Sequence, residues 1–225
     1  MSQAYFIAGT DTDIGKTYIA CALLEGFAIL GKQTAAMKPI ACGCDNTADG
    51  LRNDDALRLQ QAASIDQPYE QVNPYALPPP IAPHLAAQLS RISFNFNRIE
   101  TIYAQLAAKA DITIVEGIGG WMVPLSDNTS SADLVQQLKL PVILVVGIRL
   151  GCLNHALLTT QSIQAQGCRL AGWVANIIDP ESLYIEENID SLKQRIDAPL
   201  LGQVPWDKNA NARTIAGHLE LNCLL

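Results

Sequence analysis

The sequence predicts a single α/β domain in which a mainly parallel sheet is covered by helices on both faces. Three observations predict it. Short β-rich runs alternate with longer stretches of helical period along the 225 residues. Two of the runs, Ile112–Val115 and Val142–Val146, are apolar rather than alternating, with Thr113 the one exception, as strands buried on both faces are. The first run leads through a glycine-bounded turn into Gly-Lys-Thr at a helix start, the context of a phosphate-binding loop.

Tyr5–Ala8 is the first strand, Gly9–Gly15 the turn that leaves it, and Lys16–Leu30 a helix of sustained helical period. Thr34–Met37 is the second strand, and Asp54–Ala63, opened by two carboxylates, the second helix. Asn73–His84, NPYALPPPIAPH, carries five of the twelve prolines and can be neither a central strand nor a helix interior. A rigid surface segment and a substrate-covering loop both fit it. The alternation then resumes with helix Phe96–Ala108, strand Ile112–Glu116, helix Ala132–Leu138, strand Val142–Val146 and helix Leu153–Gln166. Strand Ala171–Asn176, helix Ser182–Arg195 and strand Leu200–Val204 complete it. No linker, repeat or low-complexity tract divides the chain, so residues 1–225 read as one domain.

Composition narrows the function. A chain of this length that is 49% hydrophobic can bury a sizeable core. Fifteen basic against 22 acidic residues give a net charge of −7 without any block of like charge, which argues against nucleic acid and anionic membranes as partners. The start, MSQAYFIAG, has neither a basic segment nor a signal-type apolar region, and runs such as Leu140–Ile148 are too short to span a bilayer. A cytoplasmic location is the expectation, and with it six reduced cysteines. Cys42 and Cys44 form a lone C-x-C, read as two small loop residues rather than a metal pair.

The loop GTDTDIGKT, Gly9 to Thr17, departs from the usual phosphate-binding pattern by having five residues between its glycines instead of four. Its setting between strand and helix supports the assignment, and with it a P-loop NTPase-like fold. Backbone N–H groups and the helix dipole would face phosphates, Gly15 would allow close approach, Lys16 would add charge, and the Thr17 hydroxyl could ligate Mg²⁺. The plainer alternative is an ordinary turn capped by Thr10 or Asp13.

A phosphate loop alone serves motors, switches, kinases and ligases. MKPIACG (37–43) and VEGIGGW (115–121) end two further strands at the carboxyl edge, where ligands of open α/β sheets collect. Lys38 would neutralise an anionic co-substrate as it meets ATP, or it is a solvated strand-end charge. Glu116 ends the most buried-looking strand, so it is expected to have a cation partner. Of Asp54 and Asp55, one could simply cap its helix. Thr17, one of these Asp residues and Glu116 would give Mg²⁺ the few hard oxygen ligands it takes beside water and phosphate.

Several segments together closely resemble the dethiobiotin synthetase family over nearly the whole chain: GTDTDIGKT, MKPIACG, GLRNDDALRLQ, VNPY, VEGIGGWMVPLSD, LPVILVVGIRLGCLNHALLT, LAGWVAN and APLLGQVPW. The seven-residue form of the loop resembles this family's own. The resemblance implies conversion of 7,8-diaminononanoate, CO₂ and MgATP into dethiobiotin, ADP and phosphate through a carbamate and a carbamic-phosphoric anhydride. It implies Thr17, Asp55 and Glu116 as Mg²⁺ ligands, Lys16, Lys38 and Thr12 at the reacting groups, and Asp13, Ile14 and Gly15 with Lys16 and Thr17 at the nucleotide. Asn176, Pro205 and Trp206 resemble the adenine-recognition segment, the Asn176 amide being able to donate and accept. Thr12, Lys38 and Cys42 would face the substrate. A homodimer is implied, with Gly151, Cys152, Leu153 and Asn154 of the partner subunit at a helix start that holds the substrate carboxylate.

Two positions depart from the family pattern. Cys42 stands where many relatives have Ser, and Asp13 where Glu is common. His84, His155 and His218 match no metal spacing and read as structural, and Trp121, Trp173 and Trp206 read as packing residues, Trp206 least firmly. The rival classes are a related P-loop ligase acting on another substrate and a P-loop switch ATPase. Against the switch, Thr10 and Asp11 occupy the early loop positions where such proteins carry an extra lysine.

Overall fold

The computed structural model describes residues 2–225. In chain order the elements begin with β1 (Gln3–Gly9), α1 (Lys16–Ile29), β2 (Thr34–Met37), β3 (Ile40–Cys42), β4 (Asp45–Thr47), β5 (Gly50–Arg52) and α2 (Asp54–Ala62). Next come α3 (Tyr69–Val72), β6 (Tyr75–Leu77), α4 (Pro83–Ser90), α5 (Phe96–Ala107), β7 (Ile112–Glu116) and α6 (Ser131–Leu138). The rest are β8 (Val142–Ile148), α7 (Cys152–Ala165), β9 (Leu170–Ile177), α8 (Ile185–Lys193), β10 (Leu200–Val204) and α9 (Ala212–Ala216).

The six expected strands make one sheet in the order β10-β9-β8-β1-β7-β2, and every neighbouring pair is parallel. Because side chains alternate across a strand, β1 sends Tyr5 and Ile7 to one face and Phe6 and Ala8 to the other. Two separate cores result. One packs α1, α2 and α9 through Ile19, Leu23, Phe27, Leu59 and Ile215. The other packs α5, α6, α7 and α8 through Ile99, Val135, Ala156 and Ile189. All seven residues of β8 are buried, which accounts for its unbroken apolar run.

Helix α1 is apolar nearly all round, and the sheet covers one side while α9 and Leu221 cover the other. A Cβ on Gly26 would lie 2.6 Å from Leu221 Cδ1, so that second contact needs glycine. Each fully buried Leu or Phe here contributes about 1.5–3 kcal/mol, enough to hold the helix that follows the phosphate loop rigidly in place.

Three expectations are refined. Asn53, rather than Asp54 or Asp55, caps α2, its side chain accepting from the Ala56 N–H at 3.3 Å, which leaves both aspartates in the first turn. Helix α8 starts at Ile185, because Ser182 is tied back to Asp179 by its N–H and its hydroxyl and Tyr184 takes a left-handed φ of 57°. In the proline-rich stretch, Tyr75–Leu77 pairs only with β3, outside the main sheet, and Pro83 opens α4 where a missing N–H costs nothing. Among the described residues no helix is long and apolar enough to cross a membrane.

Candidate active site

The order of the sheet reverses at β1, which has β7 on one side and β8 on the other, so the carboxyl ends of these strands border a crevice. Gly9–Gly15 leaves β1 at this point. Asp13 and Gly15 take positive φ angles of 56° and 86°, and the chain turns directly into α1. No side chain caps α1 and no acidic residue stands in its first turn, so its leading N–H groups and dipole are left for a ligand. Asn176, at the end of β9, donates from Nδ2 to the Ile14 carbonyl at 2.7 Å. A Cβ on Gly15 would fall 2.3 Å from that same nitrogen. Lys16 is buried, with Nζ 3.0 Å from the Asp11 carbonyl of its own loop. Burial pushes its amine below the usual lysine value, although Glu116 pulls the other way.

Pairing of β2 with β7 sets Met37 beside Val115, which brings Lys38 and Glu116 together at the sheet edge. Lys38 Nζ lies 2.6 Å from Glu116 Oε1 and 3.1 Å from Asp55 Oδ2. Thr17 Oγ1 donates to Glu116 Oε1 at 2.8 Å. Lys38 and Glu116 are almost fully buried, while the Asp55 side chain is 44% exposed. Burial opposes the Lys38 ammonium, but the two carboxylates outweigh it and its pKa is raised. Asp55 is likewise opposed by burial and held down in pKa chiefly by Lys38. Glu116 Oε2 is buried with no hydrogen-bond partner. Among the described residues no three His, Cys, Asp or Glu side chains gather, so the donor set is two carboxylates and a hydroxyl.

These groups line a cleft of about 910 Å³ with Thr12, Asp13, Cys42, Arg58 and the backbone of Gly119–Gly120, and residues 80–83 form one wall. Of the proline-rich stretch, only this part borders the cleft. Burial pushes the Cys42 thiol up to about 11, so it faces the cleft protonated, as a weak donor. Cys44 is turned to the Ala41 carbonyl, and all six cysteines are free.

A second cavity of about 310 Å³ lies beyond the loop, where Asn176, Pro205 and Trp206 meet Gly15 and Tyr18. Asn176 gives one of its two amide N–H groups to Ile14, and its oxygen has no protein partner in the hydrogen bonds it makes, so it is open to a ligand. Trp206 is 45% exposed with Lys208 Nζ 5.2 Å from its ring centroid, unlike the buried Trp121 and Trp173, so it is not a packing residue. The turn Gly151–Asn154 borders neither cavity; Gly151 is in the left-handed region, Cys152 is buried, and Asn154 faces outward. His155 and His218 are exposed and His84 is half-buried away from the cleft.

Sequence reasoning missed Asn53, Arg58 and the pair formed by Arg149 and Asp11, 2.6 Å apart between the phosphate loop and the end of β8. A charge directly after the most apolar strand was the available signal for Arg149. The signal for Asn53 was its place immediately before a helical period.

The family model of an AAA domain matches residues 3–214. The chain is 50% identical to the ATP-dependent dethiobiotin synthetase of Pseudomonas aeruginosa over 98% of its own length and 97% of that protein's. It is 50% identical to the Nitrosospira multiformis protein of the same name over 98% and 96%. Among solved structures, the septum site-determining protein MinD complexed with Mg-ADP from Pyrococcus horikoshii superposes with a TM-score of 0.57 at 15% identity, covering 99% of this chain and 89% of that one. At that identity the likeness is one of fold.

Proposed function

The chain belongs to the dethiobiotin synthetase family, which forms dethiobiotin at the expense of ATP, and on that premise we propose how its cleft performs the reaction. ATP and 7,8-diaminononanoate are its substrates; CO₂ is the third. One amine nitrogen attacks CO₂ and loses a proton to give a carbamate. A carbamate oxygen then attacks the γ-phosphorus as the bond to ADP breaks. The second amine attacks the carbamoyl carbon and loses a proton, closing the ring by a new C–N bond as the C–O bond breaks and phosphate leaves.

The observation that carries this reading is the Lys38 ammonium, held at the sheet edge between Glu116 and Asp55 and beside Thr17. Carbamate and triphosphate are both anions, so bringing them into line requires fixed positive charge in a site shielded from water. Lys38 would stabilise the carbamate and the transferring phosphoryl group, and Lys16 with the N–H groups from Asp13 to Thr17 would hold the nucleotide phosphates, Ile14 through its backbone. Thr12 and Cys42 would contact the diamine. Asn176, Pro205 and Trp206 would take the adenine, with the Asn176 oxygen accepting from the base. Thr17, Asp55 and Glu116 would hold Mg²⁺, and the unpartnered Glu116 Oε2 fits that role. When bound there, Mg²⁺ neutralises charge on the phosphate oxygens.

The same proposal includes a homodimer, in which Gly151–Asn154 of the opposite subunit supply a helix start to the substrate carboxylate. It also includes a reducing, cytoplasmic setting, which six unpaired cysteines support. Lys38→Ala is expected to lower kcat by about 10²–10³-fold while ATP still binds. Near-normal turnover would remove Lys38 from the mechanism.

A further inference from the structure

The segment Val72–Tyr75, VNPY, does not touch the cleft, yet it fastens the backbone beneath Lys38. The Lys38 N–H donates to the Val72 carbonyl at 2.7 Å, and the Lys38 carbonyl accepts from Asn73 Nδ2 at 2.7 Å. Asn73 Nδ2 also reaches the Tyr75 carbonyl at 3.3 Å, and Asn73 Oδ1 accepts from the Tyr69 hydroxyl at 3.2 Å. That hydroxyl in turn accepts from the Asn53 N–H at 2.8 Å. Asn53 caps α2 through its side-chain oxygen, and its Nδ2 lies 3.4 Å from the Cys42 carbonyl. Asn53, Tyr69 and Asn73 are each at most 9% exposed, and the Arg52 guanidinium lies 4.2 Å above the Tyr69 ring.

One buried chain of hydrogen bonds therefore runs from the Lys38 backbone through Asn73 and Tyr69 to the residue that starts α2. Asp55 stands in the first turn of that helix. The two ends meet again in the cleft, where Lys38 and Asp55 are 3.1 Å apart. We infer that Tyr69 and Asn73 are positioning residues of the synthetase reaction, fixing the spacing of Lys38 and Asp55 without contact to either substrate. The inference rests on the roles given above to those two residues. A displacement of about 1 Å at a reacting group costs up to 10²-fold in rate, so a relay that sets this spacing acts on turnover more than on binding.

The relay also extends to the cleft wall. Asn73 holds Tyr75 in β6, and the chain continues from β6 into the wall at residues 80–83. Lys38, Asp55 and the wall are thus referred to a common anchor.

The test is Tyr69→Phe, which keeps the ring and its stacking with Arg52 and removes only the hydroxyl. Asn73→Ala, which cuts the relay at its other end, is the second variant in case the first folds poorly. Each is expected to lower kcat about 10- to 100-fold, to leave KM for ATP and for the diamine within about twofold, and to raise the Mg²⁺ concentration needed for half-maximal rate. Tyr5→Phe is the control: it deletes another buried tyrosine hydroxyl, bonded to the Leu224 carbonyl far from the cleft, and is expected to keep kcat. Unchanged kcat in both relay variants, or an equal loss in Tyr5→Phe, would overturn the inference. If Lys38→Ala itself retained normal turnover, the functional reading would fall first, and that outcome is distinct from a loss confined to Lys38→Ala.

Discussion

Glu116 offers one oxygen to both Lys38 and Thr17 and keeps the other buried without a partner. A carboxylate so placed is stable only while a cation stays close, since an unpaired buried charge is far costlier than an exposed one. Glu116→Gln keeps the shape and one acceptor but removes the charge. Half-maximal rate is then expected to need about tenfold more Mg²⁺ or greater, and unfolding free energy is expected to fall by about 3 kcal/mol because Lys38 loses its main partner. A Mg²⁺ titration of the rate and a thermal melt check the two effects separately. An unchanged Mg²⁺ dependence would count against a ligand role. At this scale the sequence was informative: a charge ending an apolar strand must find an opposite one, and Lys38 is that partner. The Asp11–Arg149 pair was not legible, because 138 residues separate its members and only the β1–β8 pairing joins them.

The loop between β1 and α1 shows how an element converts local conformation into binding capacity. Gly15 is bound to its identity twice, by a φ of 86° and by the Asn176 nitrogen 2.3 Å from where a Cβ would stand. Gly15→Ala therefore either strains the backbone or breaks the bond from Asn176 to the Ile14 carbonyl. The expected cost is about 2–3 kcal/mol, read as a melting temperature lowered by roughly 5–10 °C together with ATP affinity weakened about tenfold or more. Calorimetry with and without ATP reads both, and a variant that binds ATP normally would show that the loop does not depend on this conformation. The long helices and the six sheet strands were legible because burial imposes their periods. The short elements β3 to β6, α3 and α4 were not, since they lie outside the main sheet in segments where no apolar run or helical period marks them, and pairings such as β3 with β6 and β4 with β5 decide their form.

Over the whole molecule, parallel strands place every loop that bears chemistry at one edge, and the reversal of order at β1 opens the crevice between them. Two cores, one on each face, hold that edge rigid beneath the loops that border the cleft. The architecture was readable from the alternation of strand and helix, but it is shared with the septum site-determining protein MinD, whose likeness here is at 15% identity. Fold thus leaves the chemistry open, and the proposal of an anionic co-substrate rests on the cleft's Lys38, held between Glu116 and Asp55. The turn at Gly151–Asn154 stays apart from the cleft of its own chain. The most direct measurement is phosphate release from MgATP and bicarbonate, with and without 7,8-diaminononanoate, while dethiobiotin is followed by mass. The account predicts release that depends on the diamine and matches dethiobiotin in amount. Release indifferent to the diamine, the behaviour of a switch ATPase, would contradict it.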